Sequence, residues 1–441
     1  MSIGNLVNYY LTANMFGYPY LRYQKRQQEK KYEQMGQNNS LDLNPPLKAT
    51  ARMAELLSRQ YLKGKYTDGV RKVAWHSSGA PIEILQALDF FLYTPDNHAA
   101  LCGARKLGVQ YSEVAEDHGY SRDICSYART DFGSYFSEDT PVGKIPRPDL
   151  IVVSNNICQT ILHWYQAMGA YLNAPVFLID TPFLYGDAEE HQVEYVKKQL
   201  EELIPVAEKI SGKTLSEKRL KEKTRLGKEC SDLWVEVLYR ARAKPAPITG
   251  FDAFILMGPI VALRGEDSTV RFYEQVLKEI DERVERGIGA VKTEKYRILW
   301  DNLPIWYNLS WMSKKLASHG IAVAISNYTY QWGESARFMN SEDPLDSAAR
   351  TYLHAVLNRS AGYKLDQMRQ MVTDFSLDGV LLHSDRSCKP YSLGQMDQAS
   401  SLLTEMGVPS LILEADHNDS RIFSEEQVSN RVQAFAEMMT V

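Results

Sequence analysis

The chain has 441 residues, a length that favours two or three domains over a single core. Hydrophobic residues make up 44% and charged residues 24% of it, as in ordinary globular proteins, and the formal net charge is −5. This charge excludes a strong electrostatic attraction to nucleic acid or to an anionic membrane. The sequence shows neither a signal peptide nor an apolar run of about 18 residues. We therefore expect a cytoplasmic protein that binds neither nucleic acid nor membranes.

Residues 1–70 are predicted to be largely helical and to carry no catalytic chemistry. The charged run at 25–34 is typical of a solvated helix face, and residues 37–46 are predicted to form a loop. We expect this region to contribute packing and subunit contacts.

From residue 71 onward, short apolar runs alternate with longer helical patterns, which is typical of parallel α/β sheets. The predicted strands are 71–75, 149–154, 175–180, 296–300, 321–326, 379–383 and 410–414. Between the third and fourth strands, residues 188–245 are predicted to be helical, because Val193, Val196, Leu200 and Leu203 form one apolar stripe. Residues 244–247 are predicted to form a linker.

The two halves of the chain resemble each other. DLIVVSNNIC (149–158) and DGVLLHSDRSC (378–388) both contain an Asp, an apolar strand, a polar loop and a cysteine, and both are followed by a helical segment. This weak internal duplication predicts an α/β fold with two similar doubly wound parallel-sheet lobes after a helical N-terminal region. The expected boundaries are 1–70, 71–247 and 248–441.

Three of the five cysteines lie where a ligand site is expected. Cys158 and Cys388 directly follow predicted strands, at the sheet edge where open α/β sheets bind ligands. Cys125 is flanked by Arg122 and Arg129, whose positive charge favours the thiolate. Three converging thiolates can hold a [4Fe–4S] cluster with one open iron, or zinc, whereas the alternative is a set of buried unreactive thiols.

A resemblance to a known family rests on six segments of this sequence. They are SGAPIEILQALDF, NHAALCGARKLG, YSRDICSYARTDFG, IVVSNNICQT, LHSDRSCKPYSLGQMD and LILEADHNDSRIFSEEQVSNRVQAF. From about residue 70 to its end, the chain resembles the 2-hydroxyacyl-CoA dehydratase and benzoyl-CoA reductase family. ALCGAR and DICSYARTD are more similar to the larger catalytic subunit of benzoyl-CoA reductases than to the dehydratases.

The resemblance implies a [4Fe–4S] cluster held by Cys125, Cys158 and Cys388. It also implies a smaller paralogous subunit with its own cluster, and a separate ATP-hydrolysing iron–sulfur activator that supplies electrons at low potential. In the reductase branch these electrons dearomatise an aryl-CoA ring, and in the dehydratase branch one electron makes a ketyl radical that expels the hydroxyl. The chain has no P-loop and no dinucleotide-binding glycine motif, which agrees with an external electron donor.

The remaining cysteines are interpreted differently. Cys230 shares a helical stripe with Leu226, Leu233 and Val237 and is predicted to be a core thiol. Cys102 lies in one of the family-like segments, and the resemblance leaves it possible as a fourth or supporting ligand.

Three residues after the first predicted strand are candidates for substrate chemistry. His76 is placed to deliver a proton, and the hydroxyl of Ser77 or Ser78 to bond the thioester carbonyl. The alternatives are a structural hydrogen bond for His76 and helix capping for the serines.

Two further groups are candidates beside the last strands and the pocket. Polar residues that could support the cluster, or form a solvated rim, are His383, Asp385, Glu414, Asp416 and His417. Aromatic residues that could wall a flat-ring pocket, or belong to the ordinary core, are Trp75, Trp300, Trp306, Tyr328 and Tyr330.

We therefore expect the cluster-bearing catalytic subunit of a benzoyl-CoA reductase. A 2-hydroxyacyl-CoA dehydratase subunit is the alternative enzyme, and a non-catalytic electron-relay or scaffold subunit is the alternative of another class.

Overall fold

The computed structural model describes residues 3–35 and 42–440. Within these ranges, eight β-strands form two four-stranded parallel sheets, and helices surround both. The predicted fold class, α/β with two similar parallel-sheet lobes, is confirmed.

The first sheet has the strand order β2-β1-β3-β4, and every pair is parallel. Its strands are β1 (Val73–His76), β2 (Phe91–Tyr93), β3 (Leu150–Ser154) and β4 (Val176–Ile179). The two central strands are buried along their whole length, as their continuous apolar sequences predict for a sheet covered on both faces.

The second sheet has the order β6-β5-β7-β8, which is the same order counted within its own lobe. Its strands are β5 (Tyr296–Asp301), β6 (Ile321–Ser326), β7 (Gly379–Asp385) and β8 (Ser410–Ala415). In both sheets the strand order reverses between the first and third strands of the lobe. Open α/β sheets bind their ligands beyond the carboxyl ends of the strands at such a reversal.

Strand β2 was not predicted from the sequence. It has three residues, FLY, and follows the apolar run of the preceding helix after only a short turn. Periodicity does not separate a three-residue strand from the end of a buried helix, because both present continuous apolar residues. The loop after β2 was therefore not recognised as part of the ligand-binding edge.

The next group of helices lies before and within the first lobe. They are α1 (Ile3–Val7), a π-helix (Asn8–Gly17), α2 (Tyr18–Met35), α3 (Ala49–Lys65), α4 (Ile82–Ala87), α5 (Pro95–Ala104), α6 (Gly108–Asp117), α7 (Ser126–Phe136) and α8 (Gln159–Leu172). Helix α2 contains the predicted charged run and has no buried residue. Residues 37–41 of the predicted loop lie outside the described residues.

A helical block separates the two sheets, as predicted, but it continues to residue 285 instead of ending near 245. It comprises α9 (Glu190–Ser211), α10 (Glu217–Tyr239), a 3-10 turn (Arg240–Arg242), α11 (Gly250–Leu256), α12 (Gly258–Ala262) and α13 (Asp267–Glu285). The four residues of the predicted apolar stripe on α9 are all buried.

The remaining helices belong to the second half of the chain. They are α14 (Leu309–Ser318), α15 (Asn327–Glu334), α16 (Pro344–Leu353), α17 (Ala361–Phe375), α18 (Lys389–Ser392), α19 (Gln395–Met406) and α20 (Glu425–Met438), with 3-10 turns at Trp306–Asn308, Ser335–Phe338, Val356–Asn358 and Ser420–Ile422. No helix of the described ranges has the length and apolarity needed to cross a membrane.

Helix α10 contributes to the core of the second sheet. Trp234 on α10 is fully buried in one apolar cluster with Leu299 and Val380, and its indole N–H donates to the Thr329 carbonyl at 2.8 Å. The lobe boundary at residue 247 stays a prediction, since the helical block packs beyond the first sheet.

Candidate metal centre and active site

The carboxyl ends of the two sheets border one cavity, which we call the inner cavity. Its lining includes Asp96, Cys125, Cys158, Arg264, Tyr328 and Cys388. The three cysteines predicted to converge therefore lie on one cavity. Two come from the first lobe and one from the second.

Each of the three cysteines immediately precedes a helix. Cys125 precedes α7, Cys158 precedes α8 and Cys388 precedes α18. The Cys158 sulfur accepts a hydrogen bond from the Ile161 backbone N–H at 3.3 Å. Backbone N–H groups at helix starts favour negative charge, so the Ile161 N–H partly offsets the effect of burial on the pKa of Cys158.

A hydrogen bond between the lobes brings two of the cysteine loops together. The N–H of Ser126 donates to the Ser387 hydroxyl at 3.1 Å. Ser126 follows Cys125 and Ser387 precedes Cys388, so this bond joins chain segments that are 261 residues apart. The same two serine hydroxyls lie 3.3 Å apart.

Burial and neighbouring thiols raise the pKa of two of the three cysteines. Burial raises the pKa of Cys158 to about 11, and the nearby Cys125 adds to the effect. Burial raises the pKa of Cys388 well above its usual range, and Asp385 and the other two cysteines raise it further. Three thiolates on one cavity repel one another, whereas a cationic centre bound by all three would stabilise them, so the donor set fits a metal cluster.

A buried ion pair lies against Cys125. His417 Nε2 is 3.8 Å from the Cys125 sulfur and 2.8 Å from the Ser126 hydroxyl, and its Nδ1 is 2.7 Å from Asp385 Oδ2. Burial lowers the pKa of His417, but Asp385 and Asp416 outweigh that effect and raise it well above the usual range. His417 thus contacts the Cys125 sulfur and is itself held by Asp385, as expected of a group that supports a metal ligand.

The other predicted supporting residues lie elsewhere. His383 is fully buried, with Nδ1 2.6 Å from the Leu303 carbonyl, and it does not line the inner cavity. Glu414 is exposed on β8. The side chains of Asp385, Asp416 and His417 offer oxygen and nitrogen atoms within 4.8 Å of one another. The ion pair between His417 and Asp385 already uses two of these groups.

The guanidinium of Arg129 joins the lobes instead of contacting the Cys125 sulfur. Its guanidinium is buried and bonds Glu116 Oε1 at 2.7 Å and Asp419 Oδ2 at 3.0 Å, while Arg421 binds the same two carboxylates. The Arg129 Nε also donates to the Ile124 carbonyl, next to Cys125. Arg122 is exposed. Of the two predicted arginines, one positions the cysteine loop and the other faces solvent.

Of the three predicted substrate-side residues, only Ser78 lines the inner cavity. His76 is buried, with Nε2 2.9 Å from the Thr94 hydroxyl and Nδ1 3.1 Å from the Ser77 carbonyl. Burial lowers the pKa of His76 to about 4, so it is neutral at pH 7. The Ser77 hydroxyl accepts from the Ser154 N–H at 3.2 Å, and neither serine caps α4. This geometry favours a structural role for His76 and Ser77.

Asp96 is a site residue that sequence reasoning missed. It lies in the first turn of α5, directly after β2, and lines the inner cavity. Its carboxylate accepts from the Ser78 N–H at 3.2 Å, and the Tyr165 hydroxyl lies 3.1 Å away. Burial raises the pKa of Asp96, although the Ser78 amide partly offsets this. A buried carboxyl of raised pKa beside three thiols is suited to proton transfer.

Several buried polar atoms of the inner cavity have no hydrogen-bond partner among the described residues. They include Asn156 Oδ1, Arg264 Nε, Trp332 Nε1 and Thr351 Oγ1. Buried polar groups are nearly always paired, so this concentration indicates a site that binds a ligand. No sequence pattern identified these four residues, because they come from unrelated segments.

The aromatic residues divide between the site and the core. Tyr328 lines the inner cavity together with Tyr127, Trp164 and Trp332. Of the other predicted aromatic residues, Trp75 and Trp300 are buried in the two cores. Trp306 and Tyr330 do not line this cavity.

The two remaining cysteines lie away from the inner cavity. Cys102 is fully buried on α5, and its sulfur lies 3.6 Å from His98 Nε2. Its placement gives no support for a fourth ligand. Cys230 packs in an apolar cluster with Leu226 and Val270, which confirms the predicted core thiol.

Comparison with known proteins identifies the family. The family model described as 2-hydroxyglutaryl-CoA dehydratase, D-component, matches residues 77–439. The chain belongs to this family. It is 32% identical over 390 residues to the (R)-2-hydroxyisocaproyl-CoA dehydratase alpha subunit of Clostridioides difficile, covering 87% of this chain and 94% of that one.

Two further relatives show the breadth of the family. The (R)-phenyllactyl-CoA dehydratase alpha subunit of Clostridium sporogenes is 31% identical and aligns with 83% of this chain and 89% of its own length. A subunit of the benzoyl-CoA reductase of Thauera aromatica is 28% identical, with 88% and 94% coverage. The resemblance stated from sequence segments is therefore confirmed at the level of the family, which includes both dehydratase and reductase subunits.

Proposed function

We propose that this chain is the cluster-bearing subunit of a 2-hydroxyacyl-CoA dehydratase. The observation that carries the proposal is the position of Cys125, Cys158 and Cys388 on one cavity between the lobes. Three relatives at 30% identity or more are dehydratase alpha subunits, which favours elimination of water over ring reduction. The sequence segments favoured the reductase branch, whereas the higher identity to dehydratase subunits favours the dehydratase branch.

The three cysteines would hold a [4Fe–4S] cluster, which when bound supplies one-electron chemistry at low potential. We further propose a smaller paralogous subunit with its own cluster and an ATP-hydrolysing iron–sulfur activator as partners. The names of the relatives, which are single subunits of larger enzymes, support a partner subunit. The activator and the partner's cluster are what the family resemblance implies. We place the protein in the cytoplasm, because its five cysteines are all unpaired.

Different residues of the inner cavity would transfer the proton, orient the substrate and exclude water during the elimination. Loss of water from a 2-hydroxyacyl group removes a hydroxyl from one carbon and a proton from the next, and Asp96 is placed to carry that proton. The unpartnered polar atoms of Arg264 and Thr351 are placed to bind and orient the acyl group. Tyr127, Trp164 and Tyr328 exclude water and lower the local dielectric.

A benzoyl-CoA reductase subunit is the second candidate. It is favoured by the aromatic lining of the inner cavity and by the 28% identical relative from Thauera aromatica. Aromatic side chains stack on flat rings, so the same walls suit an aryl thioester. The two candidates differ in electron demand, because ring reduction consumes electrons and dehydration returns them.

The test uses the complex purified without oxygen, with its activator, ATP and a limiting amount of reductant. The dehydratase assignment predicts many turnovers of a 2-hydroxyacyl-CoA per electron supplied and slow or no reduction of benzoyl-CoA. Stoichiometric consumption of electrons with benzoyl-CoA, without dehydration, would support the second candidate instead. We also expect exposure to air to abolish activity.

Metal analysis of the same sample separates an iron–sulfur centre from zinc. Iron and acid-labile sulfide in equal amounts support the proposal, and stoichiometric zinc contradicts it. A substrate-bound structure that places no thioester near Asp96 and the three cysteines would indicate an electron-relay or scaffold subunit.

A further inference from the structure

A second cavity lies between helices α3, α10 and α13 and strand β2, and we call it the basic cavity. It encloses about 520 Å³, within the range of small-molecule sites. Among the described residues it has no lining residue in common with the inner cavity. Its charged lining residues are Arg52, Arg59, Lys63, Arg71, Arg219, Lys223 and Arg271, together with Asp89 and Glu266.

The acidic side chains around the basic cavity do not balance its positive charge. Three charged residues pair with the lining from outside: Glu55, Asp267 and Lys213. With these included, eight cations face four carboxylates. The Asp89 carboxylate lies 2.8 Å from Arg71 and 3.9 Å from Arg219, and it also binds Lys213. In a chain of net charge −5, this local excess of cations makes a concave surface that attracts anions.

Three of these cations keep hydrogen-bonding capacity for a ligand. The Nε atoms of Arg59 and Arg71 are buried and have no hydrogen-bond partner in the described part of the chain. Lys63 forms no ion pair with a described residue, and its ammonium lies 6.0 Å from the centre of the Tyr18 ring. Because buried donors are nearly always paired, the unpaired donors of a cationic cavity indicate that an anion binds there.

The arrangement of the cations indicates an extended anion. Arg52, Arg59 and Lys63 follow one another over eleven residues of α3, a row of about 16 Å at the rise of an α-helix. Arg219 and Lys223 of α10 line the same cavity from a second helix. Such a row is longer than one phosphate group, so a ligand with at least two linked phosphates matches it better.

Gln86 adds a hydrogen-bond acceptor to the same cavity. Its side chain is 7% exposed, and its Nε2 donates to the Arg264 carbonyl at 2.6 Å. This bond fixes the orientation of the amide, so Oε1 is the atom without a partner among the described residues. A phosphate has no hydrogen to donate at neutral pH once it is fully ionised, whereas a sugar hydroxyl or a base amine can donate to Oε1.

We propose that the basic cavity binds a small ligand with a diphosphate group, which is either free pyrophosphate or part of a nucleoside diphosphate. Arg59, Lys63, Arg71 and Arg219 bind the phosphate oxygens. The unpaired Oε1 of Gln86 favours the nucleotide, because its hydroxyl and amino groups are donors. The proposal does not depend on the reaction at the inner cavity.

The test is calorimetric titration of the anaerobic complex, prepared without the activator so that a second nucleotide-binding protein is absent. The probes are ADP, pyrophosphate and adenosine, at low and at physiological salt. We expect ADP to bind one site per chain, pyrophosphate to bind about fivefold more weakly, and adenosine to show no binding up to about 1 mM. Equal affinities for ADP and pyrophosphate would identify free diphosphate as the ligand.

Lys63→Gln combined with Arg219→Gln tests the site itself. Both side chains reach the surface, and neither has an ion pair closer than 3.9 Å, so we expect this variant to fold normally. It should weaken both phosphate probes about tenfold, and more at low salt. The matched control is Lys209→Gln with Lys218→Gln, which removes the same charge from exposed residues that do not line the basic cavity.

Three results would overturn the proposal. The first is that neither ADP nor pyrophosphate binds the wild-type complex up to about 1 mM. The second is that the double variant and its control weaken binding equally, since the effect would then come from net charge and not from the cavity. The third is that adenosine binds as tightly as ADP, because the cations would then contribute nothing.

Discussion

The two lobes of this protein share a scaffold and differ in what their loops carry. Their strand orders are identical, and in each a cysteine follows the third strand. The first lobe adds a second cysteine, Cys125, and the buried carboxyl of Asp96. The second lobe adds the His417–Asp385 ion pair. The fold thus fixes where ligands can bind, and the loops at equivalent positions determine what each lobe contributes.

The largest expected effect comes from removing one thiol from either lobe. Cys158→Ser and Cys388→Ser are each expected to lose most of the bound iron and to lower activity more than about 100-fold, because the proposed centre takes ligands from both lobes. Iron analysis and activity of the anaerobic complex measure this. Cys230→Ser is the control and should keep its iron, since Cys230 lies in a separate apolar cluster. Iron loss in only one of the two variants would show that the lobes do not share a centre.

The next effect concerns the acid that only the first lobe supplies. Asp96→Asn is expected to lower kcat about 100-fold while the iron content stays unchanged, because the amide cannot carry a proton. Steady-state rates and iron analysis on one sample separate these readouts. Asp397→Asn is the matched control, as Asp397 is also a first-turn helix acid but is exposed. Equal loss of iron and activity in Asp96→Asn would assign Asp96 a structural role.

A third effect tests the network between the lobes. Asp419→Asn is expected to lower the free energy of unfolding by about 2 kcal/mol at pH 7, because it leaves the buried Arg129 partly unpaired. Thermal unfolding measures this, with Asp366→Asn as the control, since its pair with Arg369 is exposed and contributes little.

The ion pair between Asp419 and Arg129 also predicts how the stability difference between wild type and Asp419→Asn depends on pH. Burial raises the pKa of Asp419, but Arg421 and Arg129 outweigh it and hold the pKa below its usual range. A lowered pKa stabilises the fold above the unfolded value, about 3.9, and this contribution is lost as the pH falls from there towards the folded value. The difference between wild type and Asp419→Asn should therefore shrink below about pH 4. A difference that grows in acid contradicts this account.

The smallest effect is expected at His76, which the sequence suggested as a proton donor. His76→Asn should destabilise the protein by about 1 kcal/mol through lost hydrogen bonds and change kcat less than about threefold. A loss of activity as large as that of Asp96→Asn, with iron retained, would indicate that His76 takes part in proton transfer.

Sequence reasoning located the strands of both sheets except β2, and it singled out three cysteines that lie on one cavity in the structure. It succeeded there because continuous apolar strands and the residues just after them are local signals. It missed Asp96 because its loop follows β2, a strand too short to show periodicity. It also missed that one face of α3 lines a cavity, since an apolar helix face has the same pattern whether it contacts another helix or a ligand.

The most direct test is an anaerobic crystal structure of the complex with anomalous scattering recorded at the iron edge. The account predicts a cluster of iron between the sulfurs of Cys125, Cys158 and Cys388 in the inner cavity. Scattering from zinc at that position, or iron bound in this chain away from these three sulfurs, would contradict it.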